Sequence, residues 1–213
     1  MARPRTIADE DILMALHAVV GRIGPTRMTL ADVAAEVGLS PATLVQRFGS
    51  KRGLLLAFAK AGAESADYCF AAVRAAHESP LAALIAAATM MTRSMGSPEE
   101  LANGLAFLQI DISDREFRKH ALVSFEKSAK GYKSLLDDAV EAGELLPCDT
   151  TKLAHAVGAI SGGSLIAWAV LQKGTAERWV RRDLETLLAP YRAKPGAKKE
   201  PKRRENVPLN DRL

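Results

Sequence analysis

Apolar residues recur at helical spacing along most of the chain, and short polar breaks divide them into separate helices. Ile12, Leu13, Leu16, Val19, Val20 and Ile23 predict a first helix over about residues 9–23. Asp9, Glu10 and Asp11 crowd its amino end, where the helix dipole favours anions, and Gly24-Pro25 stops it. Thr29 predicts an N-cap with Asp32 as the reciprocal acid, ahead of an apolar face of Leu30, Val33, Ala34 and Val37. Gly38 stands where a left-handed residue ends a helix, and Leu39 points into the small core from the turn. Ser40 caps the next helix, and Pro41 sits in its first turn, where a missing N–H does no harm. Leu44 and Phe48 face inward, Gly49 ends that helix, and Ser50 caps a long one starting at Lys51. Two short helices around a tight turn, followed by a third, are the layout of a helix-turn-helix over about residues 29–48. That device sets one short helix in the major groove of DNA.

The long helix is predicted to reach about Glu78, where Ser79-Pro80 breaks it. Further helices follow over roughly 81–95 and 99–110. A long amphipathic helix over about 114–142 carries Phe117, Ala121, Phe125, Ser128, Tyr132, Leu135 and Ala139 on one side. After a loop holding Pro147, one helix runs from Thr150 or Thr151 to about Lys173, and the last from about Ala176 to Tyr191. No internal repeat and no strand pattern emerges, so the fold class is all-α. Residues 1–60 form a three-helix DNA-binding domain in this reading, residues 61–192 a larger helical domain, and residues 193–213 a tail. The tail is charged, Pro-bearing and nearly free of large apolar groups, which predicts disorder.

Composition sharpens this picture in two ways. Aromatics are only 5% of the 213 residues and hydrophobic residues 48%, so the core is built mainly from Ala, Leu and Val, which favours helix. The net charge of +4 is segregated: +3 over residues 1–60, −4 over 61–191 and +5 over 192–213. Positive charge thus lies at the two ends, where phosphate could be met.

Other chemistry is poorly represented. A helical enzyme would need a motif, and there is no Gly-rich phosphate loop, HExxH or Gly-x-Ser-x-Gly. His17, His77, His120 and His155 show no metal spacing, so no catalytic residue, metal or cofactor is assigned. Cys69 and Cys148 read as reduced structural thiols, with a redox switch as the alternative. No run approaches the roughly 18 uninterrupted apolar residues of a membrane span, and the amino terminus lacks the apolar stretch of a signal peptide. A cytoplasmic protein without membrane association is expected.

The amino-terminal residues resemble the TetR family of bacterial transcriptional regulators. The resemblance rests on Ile12-Leu13, Ala15, Gly24, Thr29, Val33-Ala34, Gly38-Leu39-Ser40, Leu44, Phe48, Lys51 and Leu54, about a dozen positions in register. A weaker likeness, to the start of that family's penultimate helix, follows at Ala142-Gly143-Glu144-Leu145, Asp149 and Leu153-Ala154. Two positions depart from the pattern. The usual Tyr against the DNA backbone is Val45, which can touch a thymine methyl but cannot donate to a phosphate. The acid that often follows the Lys is Arg52, read as an added phosphate contact.

The resemblance implies a recognition helix from Pro41 to Phe48. Pro41, Ala42, Thr43, Val45, Gln46 and Arg47 would face the groove, with Gln46 reading adenine. Arg47 would take a guanine or a phosphate. Arg27, Thr29, Ser40, Thr43, Ser50 and Lys51 complete the DNA-facing set, mostly as phosphate partners. Arg3 and Arg5 would form a minor-groove arm. Thr29, Ser40 and Ser50 would be needed as caps even without DNA.

The family also implies a homodimer on a palindromic double-stranded operator and a small-molecule effector held by the helical domain. Ala154, Gly158 and Gly162 allow close approach of a neighbouring helix, and Val180, Leu184, Leu187 and Leu188 supply an apolar stripe, so this set is the expected dimer interface. Packing within the chain is its rival. The expected ligand residues are Met91, Met95, Phe107, Leu108, Asp111, Phe117, His120, Phe125 and Trp168. The implied function is a ligand-released repressor. The alternative is a DNA-binding regulator without a small-molecule ligand, governed by a protein partner or by thiol oxidation.

Overall fold

A computed structural model describes residues 7–193, apart from the side chains of residues 93 and 94. The expected arm at Arg3 and Arg5 and the expected disordered tail lie outside the described residues. The chain folds into α1 (Asp9–Ile23), α2 (Leu30–Glu36), α3 (Pro41–Phe48), α4 (Lys51–Ala75), α5 (Pro80–Thr89), α6 (Pro98–Ser113), α7 (Arg115–Glu141), α8 (Thr150–Leu171) and α9 (Ala176–Leu188). The all-α class holds, and among the described residues the only extended pairing is an isolated bridge between Leu145 and Arg192.

Local chemistry explains most boundaries. Each of α2 to α9 starts on a Ser, Thr or Asp side chain that accepts a first-turn N–H: Thr29, Ser40, Ser50, Ser79, Ser97, Asp114, Asp149 and Thr175. Each such cap stabilises its helix by about 1 kcal/mol. Thr29 and Asp32 form the full reciprocal box. Gly38 and Gly49 take φ of 66° and 77°, which is why glycine stands at both exits. The expected helix over 81–95 is shorter: α5 stops at Thr89, and Met90–Ser94 continues as a 3₁₀ turn. The Thr89 and Thr92 hydroxyls donate back to the carbonyls of Ile85 and Thr89, which competes with regular helix.

Two apolar cores are built on this frame. The first joins Ile12, Leu16, Val19, Val33, Leu44 and Leu54, and takes Phe117 from α7, with Phe107 and Ile110 of α6 packed against it. The second joins Leu84, Leu135, Leu136, Val157, Trp168, Val180, Leu184 and Leu188. Helix α4 runs through both regions, so the expected division at residue 60 falls inside one continuous helix. Helices α4 and α7 lie side by side and run the same way. Phe70 meets Tyr132 edge-on at 5.2 Å, and Arg74 binds Ser134 at 2.9 Å and Asp138 at 2.6 Å. Gly131 makes this approach possible, since a Cβ there would stand 2.5 Å from the Phe70 ring.

Helix α8 corrects the membrane reading in part. Its 22 residues have the length and hydropathy of a span, although no single run is uninterrupted. Leu153, Ala154, Val157, Ser161, Ser164, Leu165 and Trp168 are buried within the chain. The opposite face is small or apolar too, which makes the helix hydrophobic all round.

Candidate nucleic-acid interface

Helix α3 is fixed from behind and open in front. Leu44 is fully buried, while Pro41, Ala42, Val45 and Gln46 are exposed and Thr43 is half-buried. Ser40 accepts from the Thr43 N–H at 3.2 Å, and its hydroxyl lies 2.9 Å from that of Thr43. Capping therefore orients the two hydroxyls at the amino end of α3. The helix is short and anchored, and it presents Thr43, Val45 and Gln46 as an unobstructed row. Ser50 is exposed and bonds the Gly53 N–H at 3.0 Å.

Thr29 is exposed, but its hydroxyl is engaged with Asp32 at 2.7 Å. That side-chain bond, then the Thr29 N–H, holds the Asp32 carboxyl below its ordinary value. Arg27 uses its Nε on the Ile23 carbonyl at 2.9 Å, leaving the end of its guanidinium for other donors.

Three basic residues have structural partners that were not legible locally. Arg47 donates to the Ile7 carbonyl at 2.7 Å and pairs with Asp9, so it ties α3 to the start of α1. Lys51 donates to the Thr26 carbonyl at 2.7 Å. Arg52 is not a free phosphate contact. It binds Asp114 at 2.8 Å and Glu116 at 2.6 Å, and lies 5.4 Å above the Phe117 ring. The hydrogen bond from Arg52 lowers the Asp114 carboxyl, and the same bond raises the Arg52 guanidinium further. This clamp joins the start of α4 to the start of α7. A second tie, Asn103 Nδ2 to the Gly21 carbonyl at 2.7 Å, joins α6 to α1.

The expected ligand residues do not converge on one place. Phe117 is 1% exposed and belongs to the amino-terminal core. Trp168 is buried in the second core, where its indole donates to the Gly174 carbonyl at 3.1 Å. Phe125 and Met91 are exposed at 67% and 69%. Phe125 leaves the inner face because eight residues from Phe117 is about 80° beyond two full turns. Met95, Phe107, Leu108, Asp111 and His120 are half-buried. Asp111 stands apart: among the described residues its Oδ1 is the buried side-chain polar atom with no hydrogen-bond partner.

The expected dimer set is also redistributed. Val180, Leu184 and Leu188 are fully buried within the chain, Ala154 is 3% exposed, and Leu187 packs against the same core. The apolar stripe of α9 serves intrachain packing, because its outer face carries Glu177, Arg178, Arg181, Arg182 and Glu185. Gly158 and Gly162 are exposed instead. They belong to a face of α8 with His155, Ala159, Gly163, Ile166 and Val170.

A capped three-helix unit with an open second helix defines the class: a helix-turn-helix DNA-binding regulator of transcription. Residues 12–58 match the model of the bacterial regulatory proteins, tetR family. The amino-terminal domain of this chain therefore belongs to the tetR family. No curated protein matches the chain in sequence. Solved structures share the fold along nearly the whole chain. A transcriptional regulator from Saccharomonospora viridis, solved in complex with choline, superposes with a TM-score of 0.69 at 18% identity, covering 85% of this chain and 95% of its own. A TetR transcription regulator from Haloarcula marismortui gives 0.67 at 18% identity, covering 86% and 97%. SmeT, the repressor of the Stenotrophomonas maltophilia multidrug efflux pump SmeDEF, gives 0.62 at 21% identity, covering 90% and 93%.

Proposed function

We propose that this chain is a cytoplasmic repressor that binds a palindromic operator as a homodimer and is released by a small molecule. The DNA-binding half, residues 1–60, meets DNA with α3, and residues 61–192 hold the dimer and effector surfaces. The observation that carries the reading is the exposed row of Thr43, Val45 and Gln46 on a helix fixed by Leu44, Ser40 and Arg47. Gln46 reads a base, because its amide is exposed and offers a paired donor and acceptor. Val45 packs on a thymine methyl. The phosphate contacts come from Arg27, Ser50, Lys51 and the amino end of α3.

The exposed face of α8 supports the dimer. Its glycines permit a close helix crossing, and Ile166 and Val170 supply apolar contact, at exposures of 49% and 77% in the single chain. Two features support effector release. The Arg52–Asp114–Glu116 clamp and the Asn103–Gly21 bond couple α6 and α7 to α4 and α1. A ligand favouring a different α6 position would then shift the dimer away from the DNA-bound spacing. The S. viridis neighbour with choline is in keeping with such an input. Control by thiol oxidation is disfavoured at Cys148, whose thiol is pushed up by burial and by Asp149 and Asp137.

The test is Gln46→Ala in operator binding. Loss of about 1–3 kcal/mol, confined to operators carrying the preferred base at one position in each half-site, is the expected result. Equal loss on every sequence would overturn the base-reading role.

A further inference from the structure

The inward side of α6 is unusual in two positions that share one line. Gly104 and Asp111 are seven residues apart, nearly two full turns, so they project in almost the same direction. On one flank of that line Asn103, Phe107 and Ile110 pack toward α1 and the first core. On the other, Leu101 is buried in the second core. The opposite side of α6, with Ala102, Leu105, Gln109 and Ile112, faces solvent. The line is therefore turned toward the bundle, yet it is under-filled. Gly104 is exposed, and a Cβ built on it meets nothing within 4 Å. Asp111 buries Oδ1 without a hydrogen-bond partner. An unpaired buried carboxylate oxygen is costly unless something donates to it.

We propose that this line is an organic-cation site, with Asp111 as the anchoring carboxylate and Gly104 leaving room for the ligand's body. The proposal deepens the effector reading above and rests on it. A carboxylate in low dielectric favours a positively charged donor over a neutral one and repels an anion. Phe107 lies one turn before Asp111 and belongs to an aromatic row, with Phe58 at 5.5 Å and Phe117 at 6.2 Å between ring centres. Aromatic rings beside a carboxylate suit an alkylated ammonium, which gains from ring quadrupoles while needing few hydrogen bonds. Charge at this point is also well placed to act on DNA. Asp111 is one turn before Asp114, the residue that Arg52 holds from the start of α4.

Three probes with one shape separate the contributions: 3-hydroxyphenyltrimethylammonium, its uncharged isostere 3-tert-butylphenol, and the anion 3-hydroxybenzenesulfonate. Binding is measured by calorimetry on the full chain, on Asp111→Asn, and on Gly104→Leu. The wild-type chain should bind the cation at least about tenfold more tightly than the phenol, and the sulfonate least. Asp111→Asn should erase that preference while keeping phenol binding, which also shows that it has folded. Gly104→Leu should lose the cation although the charge is retained. Equal affinity for cation and phenol, or preference for the sulfonate, overturns the anchor and leaves the effector reading standing. A cation preference that survives Asp111→Asn does the same. Failure of all three to bind overturns the site and removes this face from the effector reading, while operator binding is untouched.

Discussion

Gln46 and Arg47 are neighbours on α3 with opposite roles. Gln46 is exposed, whereas Arg47 spends its guanidinium on Asp9, the Ile7 carbonyl and the Phe48 ring. Both look equally fit to read a base when only residue type is known. Contacts across long sequence separations decide between them, and the same holds for Arg52, whose partner Asp114 lies 62 residues away. The caps, by contrast, were legible, because Thr29 and Asp32 or Ser40 and Thr43 satisfy each other within one turn. Asp111 carries a prediction of its own. Burial pushes its carboxyl up to about 6, against an ordinary value near 3.8. A raised acid favours the folded state while protonated and penalises it once ionised. The penalty is absent below pH 4 and grows until the carboxyl is ionised above pH 6. Asp111→Asn should therefore leave Tm unchanged at about pH 4 and raise it at about pH 7.5. An equal Tm difference at both would contradict the burial of an ionised carboxylate.

At the scale of elements, hydrophobic phase predicted the helices well and their partners less well. The stripe of α9 was plain in the spacing of Val180, Leu184 and Leu188, but spacing does not say whether the chain itself or a second copy covers it. The charged outer face of α9 answers that, and the small residues on the outer face of α8 became visible only once α7 and α9 had taken its other sides. Similarly, Phe125 was grouped with Phe117 although helical geometry rotates it outward. Glycine shows the same division between local and tertiary cause. Gly38 and Gly49 were readable from turn chemistry, while Gly131 is needed because Phe70 of α4 leans on it. Gly131→Ala should lower stability by about 1–3 kcal/mol through overpacking, more than the roughly 1 kcal/mol that alanine gains in a helix. Gly104→Ala, facing open space, should raise it. Chemical denaturation of the two variants checks the pair, and a more stable Gly131→Ala would contradict the tight α4–α7 crossing.

Across the whole molecule, the two cores are not independent. Phe117 of α7 completes the amino-terminal core, α4 spans both, and the α6–α1 and α4–α7 ties cross between them. A helix-turn-helix mounted this way cannot change its spacing without moving α6 or α7, which is the physical basis for control from a distance. The sequence foretold the recognition unit almost to the residue, because its signals are capping, turn glycines and a short apolar face. It foretold the sensing half only as a set of helices, since a pocket depends on which faces remain under-filled after packing. The central claim is sequence-specific binding by a two-fold pair, and selection of bound duplexes from a random DNA library at physiological salt tests it most directly. The account predicts a palindromic consensus with half-sites separated by about one helical turn or a multiple of it. Recovery of no consensus, with binding that vanishes as salt rises, would contradict it and leave only non-specific attraction of the basic ends to phosphate.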